Sequence, residues 1–175
     1  MNAHAGFALW ITGMPASGKS TVARAVVDKL REQGIHVVVL ESDELRRILT
    51  PNATYSPEER DRFYHMMVLI GDLIVRSGVN VIFDATANKR SYRDHARSLI
   101  TKFIEVYVQC PLDICMKRDP KGIYRRATAG NTSTVPGLQI PYEIPVNPDV
   151  TLDGQSSPES AADAVLDRVK YLRYI

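Results

Sequence analysis

The segment from Gly13 to Ser20 constrains this chain more than any other part of the sequence. It has the spacing GxxxxGK[ST], and it lies between the apolar run Phe7–Thr12 and a segment with helical periodicity, Lys19–Gln33. Backbone N–H groups converge on a phosphate only where the chain curls without side-chain clash, which requires glycines at fixed positions. A helix that follows such a turn points its positive end at the anion. The segment therefore predicts a phosphate-binding loop between a buried strand and a helix.

This loop predicts that the chain binds ATP together with Mg²⁺. We expect Lys19 to reach the β- and γ-phosphates and Ser20 to hold the metal ion. The predicted nucleotide-binding residues of the loop are Gly13, Ala16, Ser17, Gly18, Lys19, Ser20 and Thr21. A purely structural glycine turn is the alternative, and the flanking strand and helix disfavour it. No guanine-binding NKxD segment stands out, and the length of the chain favours a small-molecule kinase over a GTPase.

Short apolar runs alternate with segments of helical periodicity along the chain. After the first run, the predicted strands are Val37–Leu40, Val79–Phe83, Phe103–Gln109 and a short Val150–Leu152. Nearly continuous apolar strands separated by helices are typical of a parallel sheet that is covered on both faces. We therefore predict the α/β class, with a P-loop NTPase-type parallel sheet flanked by helices on both faces, in a single domain over residues 1–175.

Residues 119–149 differ from the rest of the chain. They are rich in proline and glycine and show no sustained periodicity. In a compact domain, so long an irregular stretch is usually an active-site lid or a disordered segment. We predict an irregular lid over this range.

Composition argues against several other classes of protein. The formal net charge is only +2, whereas a nucleic-acid binder usually carries a clustered basic excess. No apolar stretch reaches the roughly 18 residues that a membrane helix needs. Cys110 and Cys115 have no neighbouring histidine or further cysteine to complete a zinc site, so we expect small buried side chains. A cytoplasmic protein with small nucleotide substrates, and with neither nucleic-acid nor membrane partners, is expected.

Carboxylates follow two of the predicted strands. Asp43 comes shortly after Val37–Leu40, and Asp84 directly follows Val79–Phe83. Because ligands of parallel α/β sheets bind at the carboxyl ends of strands, both side chains are expected near the phosphate loop. Lys19, Asp43 and Asp84 are therefore the candidate catalytic residues. For Asp84, a cap of the following helix is the alternative.

The run Asp119-Pro120-Lys121-Gly122-Ile123-Tyr124-Arg125-Arg126-Ala127 narrows the prediction further. Together with Phe103–Val108, Leu40–Arg46 and the proline-rich residues 136–148, it makes the chain resemble the adenylylsulfate kinase family nearly end to end. The resemblance implies transfer of the γ-phosphoryl group of ATP to the 3′-hydroxyl of adenylylsulfate, which gives 3′-phosphoadenylylsulfate. The family often forms dimers, so a homodimer is implied as well.

The resemblance also implies a role for each matching residue. Asp43 would orient the attacking hydroxyl and accept its proton. Arg46 and Arg60 would grip the phosphosulfate of the acceptor, and Tyr55 would pack on its adenine. The resemblance places Arg118, where the lid begins, near the ATP base. It places the basic lid residues Lys121, Arg125 and Arg126 around the phosphates.

Several positions on the acceptor side depart from the family pattern. The family has an asparagine at Phe63, a serine at Ala87 and a phenylalanine at Val135. Asp84-Ala85-Thr86 instead resembles the strand end of other small P-loop kinases, in which the aspartate lies near magnesium or the acceptor hydroxyl. A kinase for a different nucleoside-type acceptor, such as a cytidine diphosphate derivative, is therefore the alternative. A nucleotide-binding domain without catalysis is disfavoured, because the phosphate loop, the candidate base and the basic lid are all present.

Overall fold

A computed structural model describes residues 5–175 of the chain and contains one five-stranded sheet within them. The strands are β1 Ala8–Thr12, β2 Val37–Glu41, β3 Asn80–Asp84, β4 Phe103–Gln109 and β5 Val150–Asp153. They lie in the order β2-β3-β1-β4-β5, and each neighbouring pair is parallel. The helices are α1 Lys19–Glu32, α2 Ser42–Leu49, α3 Pro57–Arg76, α4 Arg90–Leu99, α5 Leu112–Arg118, α6 Ile123–Thr128 and α7 Pro158–Tyr171. The predicted α/β class with a parallel sheet is confirmed.

Helices cover both faces of the sheet, as the apolar strands predict. The central strand β1 is buried at every position, and its side chains alternate between two cores. Leu9 and Ile11 belong to a core that is closed by α1 and α7. Ala8 and Trp10 belong to a second core, which is closed by α3 and α4. The phosphate loop therefore begins at the end of a strand that is anchored on both sides.

Trp10, the one tryptophan of the sequence, lies fully buried in the second core. Its ring stacks on Phe83 with the ring centroids 4.6 Å apart. Its indole Nε1 donates a hydrogen bond of 3.2 Å to the carbonyl oxygen of Ala85. The central strand is thereby tied to the residues that follow β3.

Two element boundaries differ from the sequence predictions in ways that matter for the site. β3 runs from Asn80 to Asp84, one residue later than predicted, so Asp84 is part of the strand. The Asn80 side chain accepts from the Phe7 N–H and donates to the His36 carbonyl. α2 begins at Ser42, so Asp43 lies in its first turn and not in a connecting loop.

The lid is less irregular than predicted, because it contains α6. The carboxylate of Asp119 accepts hydrogen bonds from the backbone N–H groups of Tyr124, at 3.2 Å, and Arg125, at 2.9 Å. These bonds satisfy donors that the first turn of a helix leaves free. A helix of six residues is too short to show periodicity in the sequence.

The two cysteines have small buried side chains, as the sequence predicts. Cys110 and Cys115 are free and buried, and burial raises the pKa of Cys115 to about 12. A thiol with so high a pKa is a poor nucleophile at neutral pH. Within residues 5–175, no helix has both the length and the apolar character that a membrane crossing requires.

Candidate active site

The phosphate loop follows β1 in a tight curl that only small residues allow. A side chain at Gly13 would meet the Ser17 hydroxyl and the Val108 carbonyl oxygen, each at 2.6 Å. Gly18 has a φ of 106°, and Ala16 has a φ of 61°, in the left-handed region that non-glycine residues seldom adopt. The curl leads directly into α1, whose first residue is Lys19. The loop therefore presents backbone N–H groups and a helix N-terminus to the same space.

Lys19 lies almost buried beneath this loop. Its Nζ donates a hydrogen bond of 2.8 Å to the carbonyl oxygen of Met14. Burial lowers the pKa of Lys19, while the negative charges of Asp84 and Asp43 act in the opposite direction. The ammonium group is thus held within the loop by one carbonyl, close to two carboxylates. This position suits a cation that is to bind the phosphates of a nucleotide.

The two candidate carboxylates lie at the carboxyl ends of neighbouring strands. Asp84 closes β3, is buried, and pairs in register with Ile11 of β1 and Glu41 of β2. Asp43 follows β2 in the first turn of α2 and is half-exposed. Both line the cleft above the phosphate loop. The expectation that strand ends bring these groups together with the loop is met by the structure.

Lys121 ties the lid to the far side of the cleft. Its Nζ lies 2.6 Å from Oδ2 of Asp43 and 3.7 Å from Oε1 of Glu41. Although burial alone would lower the pKa of Lys121, these carboxylates raise it above its usual value. The lid lysine that the resemblance places around phosphates is therefore bound to the candidate base in this structure.

The beginning of the lid packs on the nucleotide side of the cleft. Arg118 Nη1 donates a hydrogen bond of 2.8 Å to the Gly154 carbonyl oxygen, and it lies 3.5 Å from that of Ser17. Tyr124, which the sequence did not single out, donates its hydroxyl hydrogen to the Pro15 carbonyl oxygen at 2.9 Å. Two side chains of the lid thus dock on carbonyl groups in or beside the phosphate loop.

The paired arginines of α6 differ in where they lie. Arg126 lines the cleft, and its Nη1 donates to the Lys121 carbonyl oxygen at 2.9 Å. Arg125 is exposed and does not line the cleft in the described part of the chain. The structure therefore brings Arg126, but not Arg125, to the site that the resemblance implies for both.

Opposite the loop, Arg46 forms the centre of a buried cationic wall. Its guanidinium carbon lies 3.8 Å from the ring centroid of Phe63 and 4.9 Å from that of Tyr55. Nη1 forms an ion pair with Glu59 at 3.2 Å. Nη2 is buried without a hydrogen-bond partner among residues 5–175. A buried guanidinium nitrogen in this state is suited to receive an anion.

Arg60 and Tyr55 complete the wall. Arg60 donates from Nε to the Tyr55 carbonyl oxygen at 3.1 Å and from Nη2 to that of Thr134 at 2.7 Å. Tyr55 has a φ of 57° and keeps its ring partly exposed at the cleft. Arg60 thereby links the loop before α3 to the middle of the lid.

The positions that depart from the family pattern all have structural partners here. Phe63 is fully buried and supports Arg46 from below. Ala87, at a φ of 43°, donates its N–H to the Tyr64 hydroxyl at 3.0 Å. Val135 is buried against the lid and lines the cleft. All three positions are therefore buried in this structure.

A buried arginine that the sequence did not identify holds the segment after β3. Arg93 donates from Nε to Glu105 at 2.6 Å, and its other nitrogens donate to the carbonyl oxygens of Ala87, Lys89 and Glu143. One guanidinium thus joins β4, the segment after Asp84 and the end of the lid. No motif in the sequence marks this residue.

The loop, the carboxylates, the lid and the wall enclose one continuous cleft of about 1740 Å³. A site for one ligand usually measures roughly 300–1,000 Å³. The cleft therefore has room for two nucleotide-sized molecules, one on the loop and one on the wall.

Comparison with known proteins agrees with this architecture. The family model described as adenylylsulphate kinase matches residues 5–153. A probable adenylyl-sulfate kinase of Pyrococcus abyssi is 37% identical over 171 residues, which cover 97% of this chain and 98% of the relative. An adenylyl-sulfate kinase of Gloeothece citriformis is 38% identical over 172 residues, which cover 96% of this chain and 98% of the relative.

A solved structure of similar shape includes ligands. The Mycobacterium tuberculosis APS kinase CysC, in complex with AMPPNP and APS, superposes with a TM-score of 0.90 at 34% identity. The match covers 95% of this chain and 98% of that one. Sequence and fold thus agree over nearly the whole chain. The protein belongs to the adenylylsulfate kinase family.

Proposed function

We propose that this protein transfers the γ-phosphoryl group of ATP to the 3′-hydroxyl of adenylylsulfate and so makes 3′-phosphoadenylylsulfate. One observation carries the proposal. A single cleft joins a phosphate loop to a buried cationic wall in which Arg46 Nη2 has no partner within the described residues. Such a wall suits an acceptor that carries an anionic group next to a planar base.

On the donor side, the loop and its lysine bind the triphosphate. Backbone N–H groups of the loop, to which Pro15 contributes none, surround the phosphates, and Lys19 moves from the Met14 carbonyl to the transferred group. Arg118 lies beside the loop at Gly154 and contacts the ATP base. The low dielectric of the buried site strengthens these contacts relative to water.

The oxygen groups at this site fit Mg²⁺. Ser20, Asp84 and Asp43 all line the cleft, and hydroxyl and carboxylate oxygens are ligands that Mg²⁺ prefers. We assign Ser20 and Asp84 as its protein ligands. When bound, the ion neutralises charge on the phosphate oxygens.

Asp43 is the proposed general base. It accepts the proton of the 3′-hydroxyl as that oxygen bonds to the γ-phosphorus and the bond from phosphorus to the ADP oxygen breaks. Lys121 holds this carboxylate at 2.6 Å in the structure. When the lid meets the nucleotide, Lys121 transfers to the phosphates together with Arg126, and Asp43 becomes free to accept the proton. Arg125 is assigned the same neighbourhood by the resemblance alone.

On the acceptor side, Arg46 and Arg60 bind the phosphosulfate, and Tyr55 packs on the adenine. All three line the cleft, and Arg46 and Arg60 are more than nine-tenths buried. A guanidinium group with free donors binds planar or tetrahedral anions in fork geometry. The wall therefore supplies both charge and stacking to one molecule.

Two further assignments complete the proposal. We infer a reducing cytoplasm, because both cysteines are free thiols and disulfides persist in oxidising compartments. A homodimer stays a prediction from the family resemblance, and sedimentation velocity of the purified protein measures it directly.

The test is ADP release from ATP and Mg²⁺ with adenylylsulfate as the acceptor. Turnover at micromolar adenylylsulfate, with the product identified by mass spectrometry, supports the proposal. Arg46→Gln is expected to raise the KM for adenylylsulfate at least about tenfold. Arg62→Gln, which changes an exposed arginine in the first turns of α3, serves as the control and should leave KM unchanged.

A panel of other nucleotides distinguishes the rival acceptors. Turnover with a cytidine diphosphate derivative, and none with adenylylsulfate, would refute the proposed acceptor and show that Phe63, Ala87 and Val135 rebuild the pocket. ATP binding without turnover on any acceptor would refute the enzymatic proposal altogether.

A further inference from the structure

Glu59 occupies an unusual place at the start of α3. Ser56 is the N-cap of this helix, and its hydroxyl accepts from the Glu59 N–H at 3.2 Å. In the usual capping box, a glutamate at this position would accept from the backbone N–H of the capping serine. Here the Ser56 N–H donates to the Thr54 hydroxyl instead, at 3.3 Å. The carboxylate of Glu59 is therefore free for other partners.

Those partners lie in the acceptor wall. Oε2 accepts from the backbone N–H and the hydroxyl of Thr54, at 2.6 and 2.7 Å. Oε1 accepts from Nη1 of Arg46 at 3.2 Å and from the Tyr55 N–H at 3.3 Å. Burial would raise the pKa of Glu59, but these hydrogen bonds and the Arg46 charge hold it below its usual value. Four donors thus converge on one ionised carboxylate.

Tyr55 depends on these contacts for its backbone conformation. Its φ of 57° lies in the left-handed region, which is costly for a residue with a bulky side chain. Glu59 holds its N–H, and Arg60 Nε holds its carbonyl oxygen. With both backbone groups fixed, the ring lies over the guanidinium groups of Arg46, at 4.9 Å, and Arg60, at 5.3 Å.

We propose that Glu59 is a positioning residue for the acceptor, because its one carboxylate fixes both the guanidinium of Arg46 and the backbone of Tyr55. Nη1 of Arg46 is bound to Glu59, so the orientation of the guanidinium, whose Nη2 is buried and has no partner in the described chain, is fixed. The cation and the ring are then in place before the acceptor arrives, which lowers the entropy lost on binding. The inference rests on the proposed function, since that function assigns these groups to the acceptor.

Glu59→Gln tests the inference, with Glu58→Gln as the matched control. Glu58 is the preceding residue, is exposed, and contributes the same charge to the same helix terminus. For E59Q we expect the KM for adenylylsulfate to rise about tenfold while the KM for ATP stays within about twofold. For E58Q both should stay within about twofold. A general loss of structure would raise both KM values, so equal increases in E59Q would overturn the positioning role.

Crystal structures of the ligand-free wild type, E59Q and E58Q give a second readout that needs no turnover. In E59Q, Tyr55 should leave the left-handed region and the Arg46 guanidinium should lose its fixed orientation, whereas E58Q should match the wild type. Retention of both features in E59Q overturns the inference. If the wild type fails to act on adenylylsulfate, the proposed function fails, and these structures still decide whether Glu59 positions the wall.

Discussion

The two sides of the cleft are built in different ways. The phosphate loop is made of backbone, since its curl brings the residues between Gly13 and Gly18 into contact and orients their N–H groups. The acceptor wall is made of side chains, which are held together through Glu59 and Arg46. Inside the loop, the Ser17 N–H donates to the nearby Met14 carbonyl oxygen, whereas Arg60 of the wall reaches a partner 74 residues away.

This difference explains why the acceptor wall should tolerate amino-acid substitution better than the phosphate loop. A backbone site requires specific residues at fixed spacing, because only glycine fits where the chain approaches itself. A side-chain wall can be repacked if charge and volume remain balanced, and Phe63 beneath Arg46 is an example. The family resemblance predicts the same division, with its pattern intact at the loop and altered on the acceptor side.

The largest effect should come from the donor side. Lys19→Ala is expected to lower kcat/KM by about a thousandfold or more, because a buried cation that stabilises the transferred phosphoryl group is lost. Circular dichroism should show an intact fold, since the loop is held by its backbone. Lys117→Ala, on an exposed face of α5, is the control. Activity within about tenfold of wild type would contradict the role assigned to Lys19.

Asp43→Asn should have the next largest effect. Loss of a general base typically costs about 10²- to 10⁴-fold in kcat, while the dissociation constant for ATP should change by less than about threefold. Calorimetric ATP titration and initial rates measure the two quantities. Asp84→Asn is the matched variant at the neighbouring strand end. If it lowers kcat more than Asp43→Asn with ATP binding unchanged, the base is Asp84 and the assignment to Asp43 is wrong.

Arg93→Met should destabilise the fold by about 3–5 kcal/mol, because it leaves Glu105 buried without its partner. Urea unfolding followed by circular dichroism gives the free energy. Arg97→Met removes a half-exposed arginine that contacts the same glutamate, and it should cost less than about 1 kcal/mol. Equal effects of the two variants would show that burial of the Arg93–Glu105 pair does not determine its contribution to stability.

Lys121→Ala should have the smallest effect on stability. The pair with Asp43 is half-exposed on both sides, so its loss should change the free energy of unfolding by less than about 1 kcal/mol. The KM for ATP should nevertheless rise about tenfold, because the lysine transfers to the phosphates. A clear loss of stability with an unchanged KM would show that the pair is structural and that Lys121 does not bind the phosphates of ATP.

The sequence predicted those parts of the molecule that local rules determine. The phosphate loop, the alternation of strands and helices, and the place of Asp84 at a strand end all follow from spacing and apolar runs. The sequence also predicted Arg46, Arg60 and Tyr55 through the family resemblance, and the structure brings them together in one wall.

Several residues that hold the site together could not be predicted from such local rules. Arg93 and Glu105 meet across two elements, and nothing in their spacing distinguishes a buried arginine from an exposed one on a helix. Glu59 occupies a capping position, for which an ordinary helix start is the simpler interpretation. The contact between Lys121 and Asp43 depends on how the lid folds over the cleft, which no local pattern encodes.

Trp10 gives the protein a built-in optical reporter. As the one tryptophan, it accounts for nearly all emission excited near the red edge of protein absorption, so no label is needed. Its indole is buried, and its N–H donates to the carbonyl oxygen of Ala85, in the segment that follows Asp84. Unfolding should therefore shift its emission strongly to longer wavelength. A loosened acceptor wall should alter its intensity and lifetime while the protein remains folded, which separates the two events in a single cuvette.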